Sequence, residues 1–245
     1  MKTTWDILVI LDRSGSMMDA RTDHEGGLRS FVADQQQLEG DVTFTLVQFD
    51  SVNPCEVVYD YVPIATVGAI TLTPRGGTPL LDAIGKATAH LEARQVQPVD
   101  HTLVLVITDG HENNSREWTK ARVKDRVLAL EARGWTFLFL GANIDSFAEA
   151  VALGMPMAGS ANYTAAPASV GTAYGMTARN VLRARTMSYT GATGQSVTSA
   201  MNYTVEDQAE IAQPTGKVDW QKIVTTTSGA TLTPTSTSTV VSEEK

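Results

Sequence analysis

Three short stretches of this sequence place oxygen-bearing side chains where they could bind a hard metal ion. The first is Asp12-Arg13-Ser14-Gly15-Ser16, in which a carboxylate and two hydroxyls alternate and a glycine permits a tight turn. These side chains form an oxygen-only donor set, which suits Mg²⁺ or Mn²⁺ and does not suit zinc. The pattern alone is also typical of an Asx or Ser turn that leads into a helix. It therefore indicates a metal site only together with other parts of the chain.

Two later segments supply further oxygens. Thr78 follows a Gly-Gly pair and precedes Pro79. Proline is favoured at the first position of a helix and threonine is an acceptable N-cap, so the Thr78 hydroxyl could cap that helix or face the same cation. Asp109 follows an apolar run and precedes Gly110, a pair that is often a simple turn. The three segments together predict one metal site.

Five segments of the sequence read as strands that would position these residues. Nearly continuous apolar runs at 7–11, 103–107 and 135–140 predict central strands that are buried on both faces. The alternating segment 41–49 predicts a strand nearer the edge, and 57–62 predicts an antiparallel edge strand. Open α/β sheets place ligands beyond the carboxyl ends of their strands, which is where the first and third segments lie.

Helical periodicity fills the intervals between the strands. The alternation of strands and helices predicts an α/β fold: a doubly wound, mostly parallel, Rossmann-like sheet with one antiparallel edge strand and helices on both faces. The predicted helices span 22–38, 79–94, 116–133, 145–153 and 170–187.

Composition limits the classes of function. Hydrophobic residues make up 42% and charged residues 19%, which is ordinary for a globular protein. The net charge of −8 argues against nucleic-acid binding. The single cysteine, Cys55, excludes an intrachain disulfide and a CxxC metal site. No signal-peptide pattern and no apolar run of about 20 residues are found, so we expect a cytoplasmic protein that does not bind membranes.

The sequence predicts one domain with a different carboxyl end. Residues 1–190 form the predicted domain, 191–224 are a weakly patterned extension, and 225–245 are a tail rich in Ser and Thr. In 225–242, twelve of eighteen residues are Thr or Ser. Such low complexity is typical of an exposed tail, and an arm that becomes ordered only on a partner is the alternative.

Enzymatic interpretations lack necessary groups. Asp12 could be the nucleophile of a phosphatase of the haloacid dehalogenase type, but Ser14 stands where that chemistry needs a second acid. The sequence contains no GxxxxGK[ST] or GxGxxG motif to hold phosphates. His111-Glu112 begins like a zinc-protease motif, yet Ser115 replaces the second histidine. We therefore expect a protein that is not an enzyme.

The three segments resemble the von Willebrand factor A (vWA) family with a metal-ion-dependent adhesion site. That family carries DxSxS on a first loop, a threonine on a second and an aspartate on a third. The resemblance covers about residues 5–190 and includes the strand ends ILVILDRSGSM and VLVITDG. The matching positions, called the five site residues below, are Asp12, Ser14, Ser16, Thr78 and Asp109.

The resemblance implies a role for each of these residues and a kind of partner. Ser14, Ser16 and Thr78 would bind Mg²⁺ or Mn²⁺ directly or nearly so, and the two aspartates often act through water. Mg²⁺ keeps six oxygen ligands, so an exchangeable position would remain for an Asp or Glu of a partner protein. The implied function is a bacterial or phage adaptor, in some relatives beside an AAA+ ATPase. The alternative is a structural or assembly component, such as a virion protein, that uses the domain and the Ser/Thr-rich arm.

Overall fold

The computed structural model describes residues 3–38, 40–192 and 194–212, and six strands of this part form one sheet. The strand order is β3-β2-β1-β4-β5-β6, in which β3 runs antiparallel to β2 and the other pairs are parallel. This arrangement confirms the predicted fold class, including the antiparallel edge strand. The strands are β1 (Thr4–Asp12), β2 (Asp41–Phe49), β3 (Glu56–Pro63), β4 (His101–Thr108), β5 (Trp135–Ala142) and β6 (Ser160–Tyr163).

Helices cover both faces of the sheet because the central strands are apolar on both sides. On β1, Leu8 and Ile10 pack towards one helical layer, while Ile7 and Val9 pack towards the other. The first layer contains α2, α3 and α4, and the second contains α1, α5, α6 and α7. The helices are α1 (Arg21–Gln37), α2 (Leu80–Arg94), α3 (Lys120–Glu131), α4 (Ser146–Ala152), α5 (Pro167–Tyr189), α6 (Gln195–Met201) and α7 (Val205–Ala212).

The sheet has a topological switch point between its two central strands. From β1 the chain crosses to β2 on one side, whereas β5 and β6 follow β4 on the other side. The connections that leave the carboxyl ends of β1 and β4 therefore diverge, and they leave a crevice at the top of the sheet. Both DxSxS and Asp109 are in these connections.

Two differences from the sequence prediction have physical causes. Helix α3 begins at Lys120, not near residue 116, because the Asp82 carboxylate accepts hydrogen bonds from the amides of residues 116–118. Strand β6 was not predicted, since its four residues are too few to show a period. Gly134, in the turn between α3 and β5, has φ 91°, a left-handed conformation that glycine adopts readily.

The carboxyl part of the described chain packs on the domain. Helices α6 and α7 contact α5, and α7 also contacts β6. Residues 213–224 of the predicted extension and the whole Ser/Thr-rich tail lie outside the described residues. Within 3–38, 40–192 and 194–212, none of the helices has the length and apolar character that crossing a bilayer requires.

Candidate metal centre

The first loop, residues 13–18, begins at the buried end of β1. Asp12 has no exposed surface, and its Oδ1 accepts a hydrogen bond of 2.6 Å from the backbone amide of Ser14. Its Oδ2 accepts another of 2.6 Å from Thr108 Oγ1, at the end of the neighbouring strand β4. The first bond is the Asx turn that the sequence pattern allowed, and it forms within a site that has further oxygens.

Ser14 and Ser16 link this loop to the third loop, residues 109–119, which follows β4. The two serine hydroxyl oxygens are 3.1 Å apart. Ser16 Oγ donates a hydrogen bond of 2.6 Å to Asp109 Oδ1. The structure thus places the carboxylate predicted from β4 directly against the hydroxyls predicted from β1.

Thr78, on the second loop at residues 75–79, approaches the same point. A Cβ at Gly110 would lie 3.6 Å from Thr78 Oγ1 and 3.9 Å from Ser16 Oγ, so both hydroxyls face this glycine. The N-cap of α2 is Pro79, and no side chain caps that helix. The Thr78 hydroxyl therefore does not serve the capping role that the sequence left open, and all five site residues lie around one crevice.

The second loop is held in place by contacts with its neighbours. Gly76 has φ 65°, and a Cβ there would lie 2.3 Å from Ser51 Oγ, so this position requires glycine. Ser51 Oγ accepts a hydrogen bond of 2.9 Å from the amide of Gly77. Asn113 Oδ1 accepts one of 2.8 Å from the amide of Thr78.

The two carboxylates lie in surroundings that disfavour negative charge. Burial raises the pKa of Asp12 to about 6, although hydrogen bonds from Thr108 and Ser14 oppose the shift and the charge of Asp109 adds to it. Burial also raises the pKa of Asp109. Within the described residues, neither carboxylate forms an ion pair with Lys, Arg or His. A cation between them would therefore relieve an electrostatic cost.

This donor set fits a small hard cation. It offers two carboxylates and three hydroxyls, which are ligands that Mg²⁺ and Mn²⁺ accept. The described part of the chain holds no cluster of three or more His, Cys, Asp or Glu suited to a metal, which distinguishes this crevice from a histidine or thiolate site. Two negative charges would balance a divalent ion.

Several residues around the site were not singled out from the sequence. Thr108 anchors Asp12, and Asn113 holds the backbone of Thr78. Asp50, at the end of β2, bonds to arginines of the first and second loops. A signal for Asp50 was present, because it follows a strand at the same edge of the sheet as Asp12 and Asp109.

Solved structures share the fold at low sequence identity. The vWF domain of the type V pili tip protein Mfa5 from Porphyromonas gingivalis matches with a TM-score of 0.57 and 13% identity, over 80% of this chain and 98% of that chain. The pilus adhesin SpaC from Lactobacillus rhamnosus GG has a TM-score of 0.56 and 13% identity, over 75% and 30%. The PilB minor pilin from Streptococcus sanguinis has a TM-score of 0.54 and 10% identity, over 78% of this chain and 64% of that chain.

These likenesses show a vWA-like α/β fold, which is the fold that the sequence resemblance implied. The chain spans nearly all of the Mfa5 domain but less than two thirds of the SpaC and PilB chains. No protein-family model matches the sequence, and no curated protein matches it significantly.

Proposed function

We propose that this chain is a metal-dependent protein-interaction module and not an enzyme. Asp12, Ser14, Ser16, Thr78 and Asp109 would hold Mg²⁺ or Mn²⁺ at the top of the sheet. When bound, the ion would offer an exchangeable coordination position to an acidic side chain of a partner protein. The chain's own residues fix the oxygens, keep basic side chains away from them and leave Ser16 exposed at the surface.

The observation that carries this proposal is the convergence of two carboxylates, neither of which has a basic partner, with three hydroxyls from three separate loops. Ser16 and Asp109 are 93 positions apart in sequence, yet their side chains are joined by a hydrogen bond of 2.6 Å. Buried carboxylates without a basic partner usually reduce stability, so such an arrangement favours a role in binding a cation. Among proteins of the same fold, the presence of a pili tip protein and a pilus adhesin supports a role in protein contacts.

The metal site is tested by the melting temperature of the full chain in Mg²⁺ or Mn²⁺ and in EDTA. At a concentration of 100 times Kd, binding would stabilise the fold by about 2.7 kcal/mol, which raises the Tm by roughly 5–10 °C for a chain of this size. We expect Asp12→Asn to abolish this increase and Thr78→Ala to reduce it, with both variants remaining folded in EDTA. An equal metal-dependent increase in wild type and both variants would contradict the assignment.

The control is Asp60→Asn. Asp60 is a half-exposed carboxylate on β3, where it contacts His90 at 2.8 Å and Arg94 at 3.3 Å on α2. This variant should keep the full metal-dependent increase in Tm.

Partner capture from the native host should then occur with wild type in Mg²⁺ and should be lost both in EDTA and with Asp12→Asn. Capture that persists in EDTA would instead favour the structural alternative.

A further inference from the structure

A second group of charged residues lies directly beside the metal loops, on the side away from the five site residues. We call it the arginine–acid cluster: Arg13, Asp50, Glu56 and Arg75. Arg13 lies between two site residues in sequence, but its side chain is only 6% exposed and extends towards the edge hairpin of β2 and β3. The site residues themselves do not use this cluster.

Asp50 is the centre of the cluster. Its carboxylate is fully buried, and Oδ2 accepts hydrogen bonds from Arg13 Nε at 2.7 Å and from Arg75 Nε at 2.9 Å. Arg13 also forms an ion pair with Glu56, at the start of β3. One oxygen therefore joins an arginine of the first loop to an arginine of the second loop.

The other oxygen of Asp50 fixes the turn after β2. Oδ1 accepts hydrogen bonds of 2.6 Å from the amide of Val52 and 2.9 Å from that of Asn53. Ser51 lies in this turn, and its Oγ accepts a hydrogen bond from the amide of Gly77. Burial alone would raise the pKa of Asp50, but these amides and both arginines hold it below the usual value. The carboxylate is thus ionised and fully bonded at neutral pH.

The backbone connects the same two loops. The amide of Arg75 donates to the carbonyl of Arg13 at 3.0 Å, and the amide of Gly15 donates to the carbonyl of Gly76 at 3.0 Å. The side-chain bridge through Asp50 and these two backbone bonds span the interval between Ser14 and Thr78. Without Asp50, the two backbone bonds would remain, together with the contacts of Glu56 with Arg13 and, at 3.8 Å, with Arg75.

We infer that Asp50 is a positioning residue for metal binding, which holds Thr78 of the second loop in register with the serines of the first loop. This inference rests on the proposed function, since it concerns the same metal. Asp50 donates no ligand itself, because both of its oxygens are used by amides and guanidinium groups. Its effect on the metal must therefore pass through the two loops.

The experiment measures Mn²⁺ affinity of the full chain by isothermal titration calorimetry for wild type, Asp50→Asn and the control Asp60→Asn. Removal of a residue that orients metal ligands typically costs about 10–100-fold in metal affinity. We expect a loss of this size in Asp50→Asn and none in Asp60→Asn. Circular dichroism in EDTA verifies that each variant is folded. If Asp50→Asn does not fold, Arg75→Met replaces it, because that half-exposed side chain forms the arm to the second loop.

A second background separates positioning from a general loss of stability. In Thr78→Ala, the residue through which Asp50 acts is already gone, so adding Asp50→Asn should lower Mn²⁺ affinity by less than about twofold. An equal loss in both backgrounds would overturn the inference, as would unchanged affinity in Asp50→Asn and Arg75→Met. If wild type itself fails to bind Mn²⁺, the proposed function is what fails.

Discussion

His24 is a buried imidazole that lies close to the metal loops without belonging to them. It is on α1, with ring centroids 5.5 Å from Tyr163 and 5.8 Å from Tyr174. Its Nδ1 is 3.1 Å from the Tyr174 hydroxyl, and Tyr163 donates a hydrogen bond of 3.1 Å to the carbonyl of Thr108. Burial lowers the pKa of His24 to about 4. The folded protein therefore keeps this ring neutral.

This shift predicts a specific dependence of stability on pH. Between pH 6.5 and about 4 the unfolded chain binds a proton at His24 and the folded chain does not, so stability falls as the pH falls. The contribution amounts to at most about 3 kcal/mol over this window. In His24→Gln, urea unfolding should show a correspondingly smaller loss between pH 7 and pH 4. Parallel curves for wild type and variant would show that His24 is not the group responsible.

At this scale the sequence predicts metal ligands better than the residues that hold them. DxSxS, Thr78 and Asp109 each follow a strand or precede a helix, so their spacing indicated a common location, and the structure brings all five together. Thr108 and Asp50 act through hydrogen bonds that reach groups 96 and 37 positions away. Such pairings depend on the strand register, which the spacing of residue types does not contain.

Among the elements, the contact between α1 and α5 depends on one of two adjacent glycines. A Cβ at Gly27 would lie 2.3 Å from Cδ2 of the Tyr174 ring, whereas nothing lies within 4 Å of the corresponding position at Gly26. The two residues have the same type and occupy the same helix. Substitutions at these two glycines therefore distinguish the effect of helix propensity from the effect of packing.

We expect opposite effects from alanine at these two positions. Gly26→Ala should stabilise the protein by about 0.5–1 kcal/mol, because alanine loses less conformational freedom in a helix. Gly27→Ala should destabilise it by about 1–3 kcal/mol, since the added methyl group displaces the Tyr174 ring. Chemical denaturation of both variants measures the difference. A similar gain in both would mean that α5 can move away from α1 without cost.

The elements themselves were predictable where the pattern was long or strongly apolar. β1, β4 and β5 were found because apolar runs buried on both faces have few other interpretations. The start of α3 was not predicted correctly, because the Asp82 carboxylate accepts hydrogen bonds from three amides that would otherwise extend the helix. Helices α6 and α7 are seven and eight residues long, and most of their stability comes from packing on α5 and β6.

For the whole molecule, the described carboxyl helices are part of the core. Val197, Met201 and Ile211 are almost completely buried in the same cluster as the β1 side chains. Each such side chain contributes about 1.5–3 kcal/mol when removed from water. The tail beyond them has the composition of a segment that forms no core. The stability of the domain should therefore depend on where the chain is shortened.

Two truncations test this dependence. A chain that ends at residue 224 should melt within about 2 °C of the full protein, since it keeps every described helix. A chain that ends at residue 192 should lose at least about 5 kcal/mol, because α6 and α7 no longer cover α5. Differential scanning calorimetry compares the three chains. A large loss on removal of residues 225–245 alone would show that this segment packs on the domain.

The burial of Asp12 and Asp109 without basic neighbours has a consequence for how this protein would respond to selection. Neutral replacements at these positions relieve the repulsion between the two carboxylates and the cost of removing them from water. A library of variants selected only for heat resistance in a chelating medium should therefore lose both aspartates early. Retention of both acids through such a screen would require a counter-selection for binding. The same two carboxylates would thus lower heat resistance and be required for binding.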